Sequence, residues 1–187
     1  MAVRARLTTA KVVDAALELV DEHGVEGLTL AAVAARTGVA TPSLYKHVAS
    51  LGELRGHVGV RVIEDMTARF TEKVLGRAGD DAVTALMHAY RAYVQEHPNR
   101  YAAAPMDPLH DELQQAAGAK LLEVMFATLR GYGLEGSEAV HATRRLRVIV
   151  HGFASIESGG GFGLPEGLDD TYDQLVRMYL DDLRGRS

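Results

Sequence analysis

The sequence predicts an all-α fold, with a short N-terminal helix-turn-helix domain followed by a C-terminal helical bundle. Two observations carry this. Ala and Leu are the commonest of the 187 residues, and runs rich in β-branched residues are few. Apolar residues recur at spacings of three and four over long segments, and Gly or Pro separates one segment from the next.

The segments follow in order. Thr9 to His23 reads as a first helix, with Val12, Val13, Ala16, Leu17 and Val20 on one face. Thr8 or Thr9 is the expected cap, and Gly24 the stop. Leu30, Val33 and Ala34 then mark a second, short helix with Thr29 as its N-cap type. Gly38 stands where a helix ends in a left-handed residue, which Gly adopts without a Cβ clash. Thr41 is the expected cap of a third helix reaching His47, with Pro42 at its first position, where a missing N–H does no harm. Leu44 is its apolar anchor, and Thr41, Pro42, Ser43, Tyr45, Lys46 and His47 make a polar, mildly basic outer side. Two short helices about a tight turn form a helix-turn-helix, and such an outer side suits a DNA major groove.

Ser50 with Glu53 fits a capping box for a fourth helix over Leu51 to Leu75, with Leu54, Val58, Val62, Met66, Phe70 and Val74 in its stripe. A helix of about 25 residues spans roughly 37 Å. Gly56 and Gly59 mark either a flexible spot or a close packing contact. A fifth helix, capped by Asp80 or Asp81, carries Val83, Leu86, Met87, Tyr90 and Val94 and stops at Pro98. Asn99 to Leu109 holds Pro105 and Pro108 and reads as a short helix or turn with irregular chain. Further helices are expected over residues 110–132, from Ser137 as cap to Ser158, and from Leu168 to Leu183 with Asp169 or Asp170 as cap.

Composition narrows the function classes. There is no Cys, which excludes disulfides, thiolate catalysis and Cys-based metal sites. No long uncharged apolar run and no signal-peptide pattern occurs, so a cytoplasmic protein without a membrane span is expected. The net charge is −5, yet residues 1–60 hold six Lys/Arg and six Asp/Glu. Five of those six acids fall in 14–26, away from the third helix, while Arg4, Arg6 and Lys11 stand at the front. A basic edge of this kind attracts phosphate. Residues 1–8 read as a terminal arm, disordered by default, from which Arg4 or Arg6 reaches toward DNA.

Val12-Val-Asp-Ala-Ala-Leu-Glu-Leu, Glu22-His-Gly24, Gly27-Leu-Thr-Leu, Val33-Ala-Ala-Arg-Thr-Gly-Val39 and Ser43-Leu-Tyr-Lys-His47 follow in that order. With these motifs, residues from about Arg6 to Glu53 resemble the DNA-binding domain of the TetR family of transcriptional regulators. One departure is Leu51, where relatives usually place a Lys that contacts phosphate. His151-Gly-Phe-Ala-Ser-Ile-Glu-Ser-Gly-Gly-Gly-Phe162 is similar to a C-terminal domain type of this family, the WHG type, though Arg147 stands where its Trp would be. The resemblance implies residues 1–50 as the DNA-binding domain, 51–75 as a connecting helix, and 76–187 as a ligand-binding and dimerisation domain.

The expected DNA contacts follow. Thr41, Pro42 and Tyr45 meet base edges, and Ser43, Tyr45, Lys46 and His47 hold phosphates, with Lys11 and the backbone at Thr29 in support. An effector pocket is expected among Met87, Tyr90, Tyr93, Tyr101, Met125, Phe126, His151 and Phe162, with Tyr90 and Tyr93 half-buried and their hydroxyls exposed. Met87, Met125 and Phe126 read more readily as simple core, and His151 at least as readily as a structural His. The dimer surface is expected at Leu146, Ile149, Phe153, Tyr172, Leu175 and Tyr179. The partners are a palindromic double-stranded operator, a small-molecule effector and a second copy of the chain, with no cofactor and no metal. No His-Glu-x-x-His, Gly-x-Ser-x-Gly or phosphate-loop pattern occurs, so no enzyme is expected. The competing reading is a helical ligand-binding or protein-interaction module without operator binding.

Overall fold

The computed structural model describes residues 6–185, and among them every regular element is helical. Arg4 therefore lies outside the described residues. The helices are α1 (Thr9–His23), α2 (Leu30–Thr37), α3 (Thr41–Leu44), α4 (Leu51–Val74), α5 (Gly79–Glu96), α6 (Pro98–Ala102), α7 (Gln115–Leu129), α8 (Gly136–Ser158) and α9 (Leu168–Arg184). The chain forms two compact units. The first comprises the chain up to Glu64 together with Asn99–Gly118, and the second comprises Asp65–Pro98 with the chain from Ala119 onward. Helices α4 and α7 each begin in the first unit and end in the second.

In the first unit, the Thr8 hydroxyl caps α1 by accepting from the Lys11 amide at 3.3 Å. The buried face of α1 is Val12, Val13, Ala15, Ala16, Leu19 and Val20. Leu17, expected in that stripe, is only half-buried, because the interior takes Leu19 instead. Leu54 and Val58 of α4 are buried as their spacing predicts. The capping box at α4 is shifted by one residue. Ser50 Oγ accepts from the Glu53 amide at 3.0 Å, while the Glu53 carboxylate takes the amide of Ala49 rather than that of Ser50.

Residues 99–118 lie against this unit as a strap. A Cβ built on Gly56 would meet Leu113 at 2.8 Å, one on Gly59 would meet Pro105 at 3.1 Å, and one on Gly118 would meet Pro108 at 2.8 Å. Gly56 and Gly59 of α4 are therefore packing contacts, not flexible spots. Arg100 grips Asp21 of α1 with two hydrogen bonds of 2.6 and 2.7 Å, and the Asn99 side chain donates from Nδ2 to the Asp21 carbonyl.

In the second unit, α5 lies along α8, and α9 packs on both. Val83, Leu86, Met87, Tyr90, Tyr93 and Val94 of α5 are buried, as are Leu146, Val150 and Phe153 of α8. Three expected caps are displaced. Ala78, Glu135 and Gly167 precede α5, α8 and α9, and none makes a side-chain cap bond. Asp80, Asp81, Asp169 and Asp170 sit instead in the first turns, where a carboxylate still complements the helix dipole. Asp80 has a further task, accepting from the Tyr132 hydroxyl and pairing with Arg184. Those contacts, Arg184 first, hold its carboxyl below the usual carboxylate range. The helix expected over 110–132 is shorter, because a 3-10 turn at Pro108–His110 precedes it and another at Arg130–Tyr132 follows it.

Candidate nucleic-acid interface

The sequence places α2 and α3 around Gly38, and the backbone there does what a tight turn needs. Thr29 Oγ1 caps α2 by accepting from the Ala32 amide at 3.1 Å. Gly38 ends α2 with φ 68° and ψ 32°, and the Val39 amide reaches back to the Ala34 carbonyl at 3.0 Å. That pairing across the helix end satisfies a carbonyl that would otherwise lack a partner.

Helix α3 begins one residue earlier than expected. Ala40 is its N-cap, with no side-chain bond, and Thr41 is its first residue rather than its cap. The α-helical part is also shorter than Thr41–His47. It closes at Leu44, and the chain continues as a turn through Tyr45, Lys46 and His47. The His47 amide donates to the Leu44 carbonyl at 2.8 Å, and the Val48 amide donates to the same oxygen at 3.0 Å. Leu44 and Val48, four positions apart, are both buried and anchor this turn from below. The Thr9 hydroxyl donates to the His47 carbonyl at 3.5 Å and ties the turn to α1.

With those anchors inward, the polar strip faces out. Pro42, Tyr45 and Lys46 are exposed, and Thr41, Ser43 and His47 are half-buried. Tyr45 is 56 % exposed, a large ring with one apolar side left to solvent. Lys11 and Thr29 are also exposed, each near the start of its helix. The strip brings a phenol, a hydroxyl pair, an ammonium and an imidazole onto one short turn. That set donates to phosphates and to base acceptors alike.

The charges of this unit are distributed more sharply than their sum suggests. Arg36 is held by Glu18 at 3.2 Å and by Glu22 at 3.0 Å, so it adds little to the basic edge. That pairing, Glu22 foremost, raises the Arg36 pKa. Arg61 is paired with Asp14 at 2.8 Å. Pairings of this kind join residues far apart in the chain, and composition alone does not reveal them.

Two family models match the chain. One, described as bacterial regulatory proteins of the tetR family, covers residues 12–54. The other, described as tetracyclin repressor-like, C-terminal domain, covers residues 83–179. The chain belongs to the TetR family. Among curated TetR-family relatives, it is 39 % identical over 158 residues to the HTH-type transcriptional regulator Rv0681 of Mycobacterium tuberculosis, covering 83 % of this chain and 72 % of that one. It is 33 % identical over 185 residues to YobS, an HTH-type transcriptional regulator of Bacillus subtilis, covering 98 % and 96 %. The fold matches that of Mycobacterium smegmatis BioQ with a TM-score of 0.72 at 19 % identity, over 97 % of this chain and 100 % of that one. The protein is accordingly a DNA-binding transcriptional regulator of TetR type, and its helix-turn-helix is the element described above.

The residues expected around an effector in this TetR-family chain are less gathered. Met87, Tyr90, Tyr93 and Met125 are buried, and Phe126, His151 and Phe162 are half-buried, all in the second unit. Tyr101 belongs to the first unit. Tyr93 is not half-buried with a free hydroxyl. It is fully enclosed and donates to Asp65 at 3.1 Å. Tyr90 is 3 % exposed. Phe162 stacks on Phe153 with centroids 4.9 Å apart. An open groove of about 340 Å3 in the second unit is lined by other residues, among them Arg69, Lys73, Arg77 and His88.

The residues expected at a dimer surface need correcting. Leu146, Phe153, Tyr172 and Tyr179 are buried within a single chain. The Tyr172 hydroxyl donates to the Met87 carbonyl at 2.6 Å, and that of Tyr179 to the Ala142 carbonyl at 2.9 Å. Burial pushes the pKa of both hydroxyls up. Side chains already committed to one chain's interior offer nothing to a partner. The exposed apolar side of α8 and α9 is instead Val148, Ile156 and Met178, flanked by half-buried Ile149 and Leu175. Helical spacing identified the two helices as amphipathic, but four of the six residues it offered to a partner lie on their inner sides.

Proposed function

We propose that this protein is a dimeric, ligand-responsive repressor that reads a palindromic operator with the strip from Thr41 to His47. The observation that carries the reading is that strip, six polar or small side chains turned outward over the buried pair Leu44 and Val48. Thr41, Pro42 and Tyr45 meet base edges, and Ser43, Lys46 and His47, with Lys11 and the Thr29 backbone, meet phosphates. BioQ has been solved with its double-stranded DNA operator, and a TetR of Acinetobacter baumannii with minocycline. Both share this fold, and they support DNA and a small-molecule effector as the partners here.

One α3 spans only a few base pairs, so a two-fold dimer on a two-fold site supplies the missing specificity. Val148, Ile156 and Met178 on α8 and α9 suit that contact, because each is a large apolar side chain left exposed in one chain. Residues 1–50 then bind DNA, α4 connects, and residues 76–187 bind ligand and dimerise. An effector that binds one arrangement of the two heads better than the other weakens DNA binding, and DNA weakens the effector by the same factor. The role is regulatory rather than enzymatic and belongs in the cytoplasm, in keeping with the lack of a helix long and apolar enough to cross a membrane among the described residues.

Fluorescence anisotropy with the duplex upstream of the protein's own coding sequence tests the reading. Wild-type protein is expected to bind it in preference to a mixed-sequence duplex, and more weakly as salt rises. Tyr45→Ala is expected to lose at least several-fold in affinity for the upstream duplex. Undiminished affinity in Tyr45→Ala would show that the reading face lies elsewhere.

A further inference from the structure

We infer that Arg55, on the second turn of α4, is a phosphate-contacting residue that supplies the cation absent at position 51. The inference rests on the DNA-binding reading above and adds a contact to it.

The starting point is the fate of each cation in the first unit. Arg36, Arg61 and Arg100 are each held by one or two carboxylates. Arg6, Lys11, Lys46 and Arg55 have no acidic partner among the described residues. Three of these four stand on the arm, on the first turn of α1 or on the recognition turn, where phosphate contacts are already expected. Arg55 is the fourth, exposed and unassigned.

Its position decides what it can reach. Side chains on a helix lean back toward the N-terminus, over the preceding turn. For Arg55, that turn carries Leu51 and Gly52. Gly52 is exposed and carries no side chain of its own to stand in the way. Four residues along a helix are about 6 Å, within the length of an Arg side chain. The guanidinium can thus come level with Leu51, the residue directly after the link Val48–Ser50 that follows the turn Tyr45–His47. Glu53, the nearest acid in sequence, is engaged with the Ala49 amide and lies toward His57.

The fold itself gains little from this cation. A positive charge in the first turns of a helix opposes the helix dipole, and Arg55 makes no ion pair among the described residues that would compensate. A phosphate on the DNA flank of α3 supplies the missing counter-charge, and guanidinium binds it with two parallel hydrogen bonds.

The test is the salt dependence of binding, which a merely structural role would not move. Wild type, Arg55→Gln and Arg55→Lys are titrated against the labelled upstream duplex from 100 to 300 mM NaCl. Loss of one phosphate contact per subunit should lower the magnitude of the log–log slope by about 1.8 per dimer, at about 0.9 per phosphate. Over this threefold range of salt, the wild-type advantage over Arg55→Gln therefore shrinks by roughly sevenfold. Arg55→Lys is expected to keep most of the slope, and the thermal midpoints of all three to coincide. An Arg55→Gln slope equal to that of a wild type that binds would overturn the inference and leave the DNA-binding reading intact. A wild type that binds neither this nor a mixed-sequence duplex would overturn both.

Discussion

Leu44→Ala is expected to destabilise the first unit by about 2–5 kcal/mol and to abolish specific DNA binding. Leu44 is fully buried and is the one buried residue within α3. A four-residue helix has no stability of its own, since nucleation costs more than its few hydrogen bonds return. Its geometry is therefore borrowed from the side chains that seat it, Leu44 and the following Val48. Ala leaves a cavity under the turn and frees the strip above it. Leu44→Met, which conserves volume, should cost less than about 1.5 kcal/mol and keep DNA binding. Urea unfolding followed by circular dichroism, with anisotropy on the same samples, checks both. An Ala variant with an unchanged urea midpoint would show that α3 is not seated by this residue.

Arg91→Ala is expected to cost up to about 3–5 kcal/mol in the second unit, because it strands a largely enclosed carboxylate. The Arg91 side chain is 7 % exposed and that of Glu157 12 %. Two hydrogen bonds of 2.8 and 2.5 Å join them, tying α5 to α8. A third, of 2.8 Å, reaches Asp169 in the first turn of α9. The guanidinium also lies 4.8 Å from the Tyr172 ring centroid and 5.1 Å from that of Phe153. Glu157 is the main cause of the strongly raised pKa of Arg91. The charge therefore persists at any pH at which the fold is studied. The cost should arise from the orphaned Glu157 rather than from lost attraction. The pair replaced together, Arg91→Met with Glu157→Leu, is accordingly expected to recover most of the stability. If the double variant were as unstable as Arg91→Ala, the ion pair itself, and not the stranded carboxylate, would be responsible. Differential scanning calorimetry of the two variants separates these outcomes.

The helices, their order and the helix-turn-helix were legible because each rests on local signals. Thr8, Thr29, Gly24 and Gly38 cap or stop helices where their neighbours require it. Leu54, Val58, Val62, Met66 and Phe70 share one face by spacing alone, and all five are buried. What escaped depends on residues distant in the chain. Arg36 reads as a basic residue of the DNA-binding domain, and only its meeting with Glu18 and Glu22 removes it. Gly56 and Gly59 leave flexibility and close packing equally open until Leu113 and Pro105 arrive against them. Periodicity also cannot tell which of two apolar sides faces the chain's own core. Tyr172 and Tyr179 went inward, and Met178 stayed out. The recognition strip was readable because it is defined by what is absent from it. Apart from Leu44, no aliphatic side chain interrupts Thr41–His47.

Amide chemical-shift mapping of the protein titrated with its upstream duplex tests the central claim most directly. The account predicts that the largest perturbations fall on Thr29–Ala32 and on residues 41–52, with Lys11 and Arg55 included and residues 139–154 little changed. Perturbations that spare Thr41–His47 while the duplex is bound would contradict it.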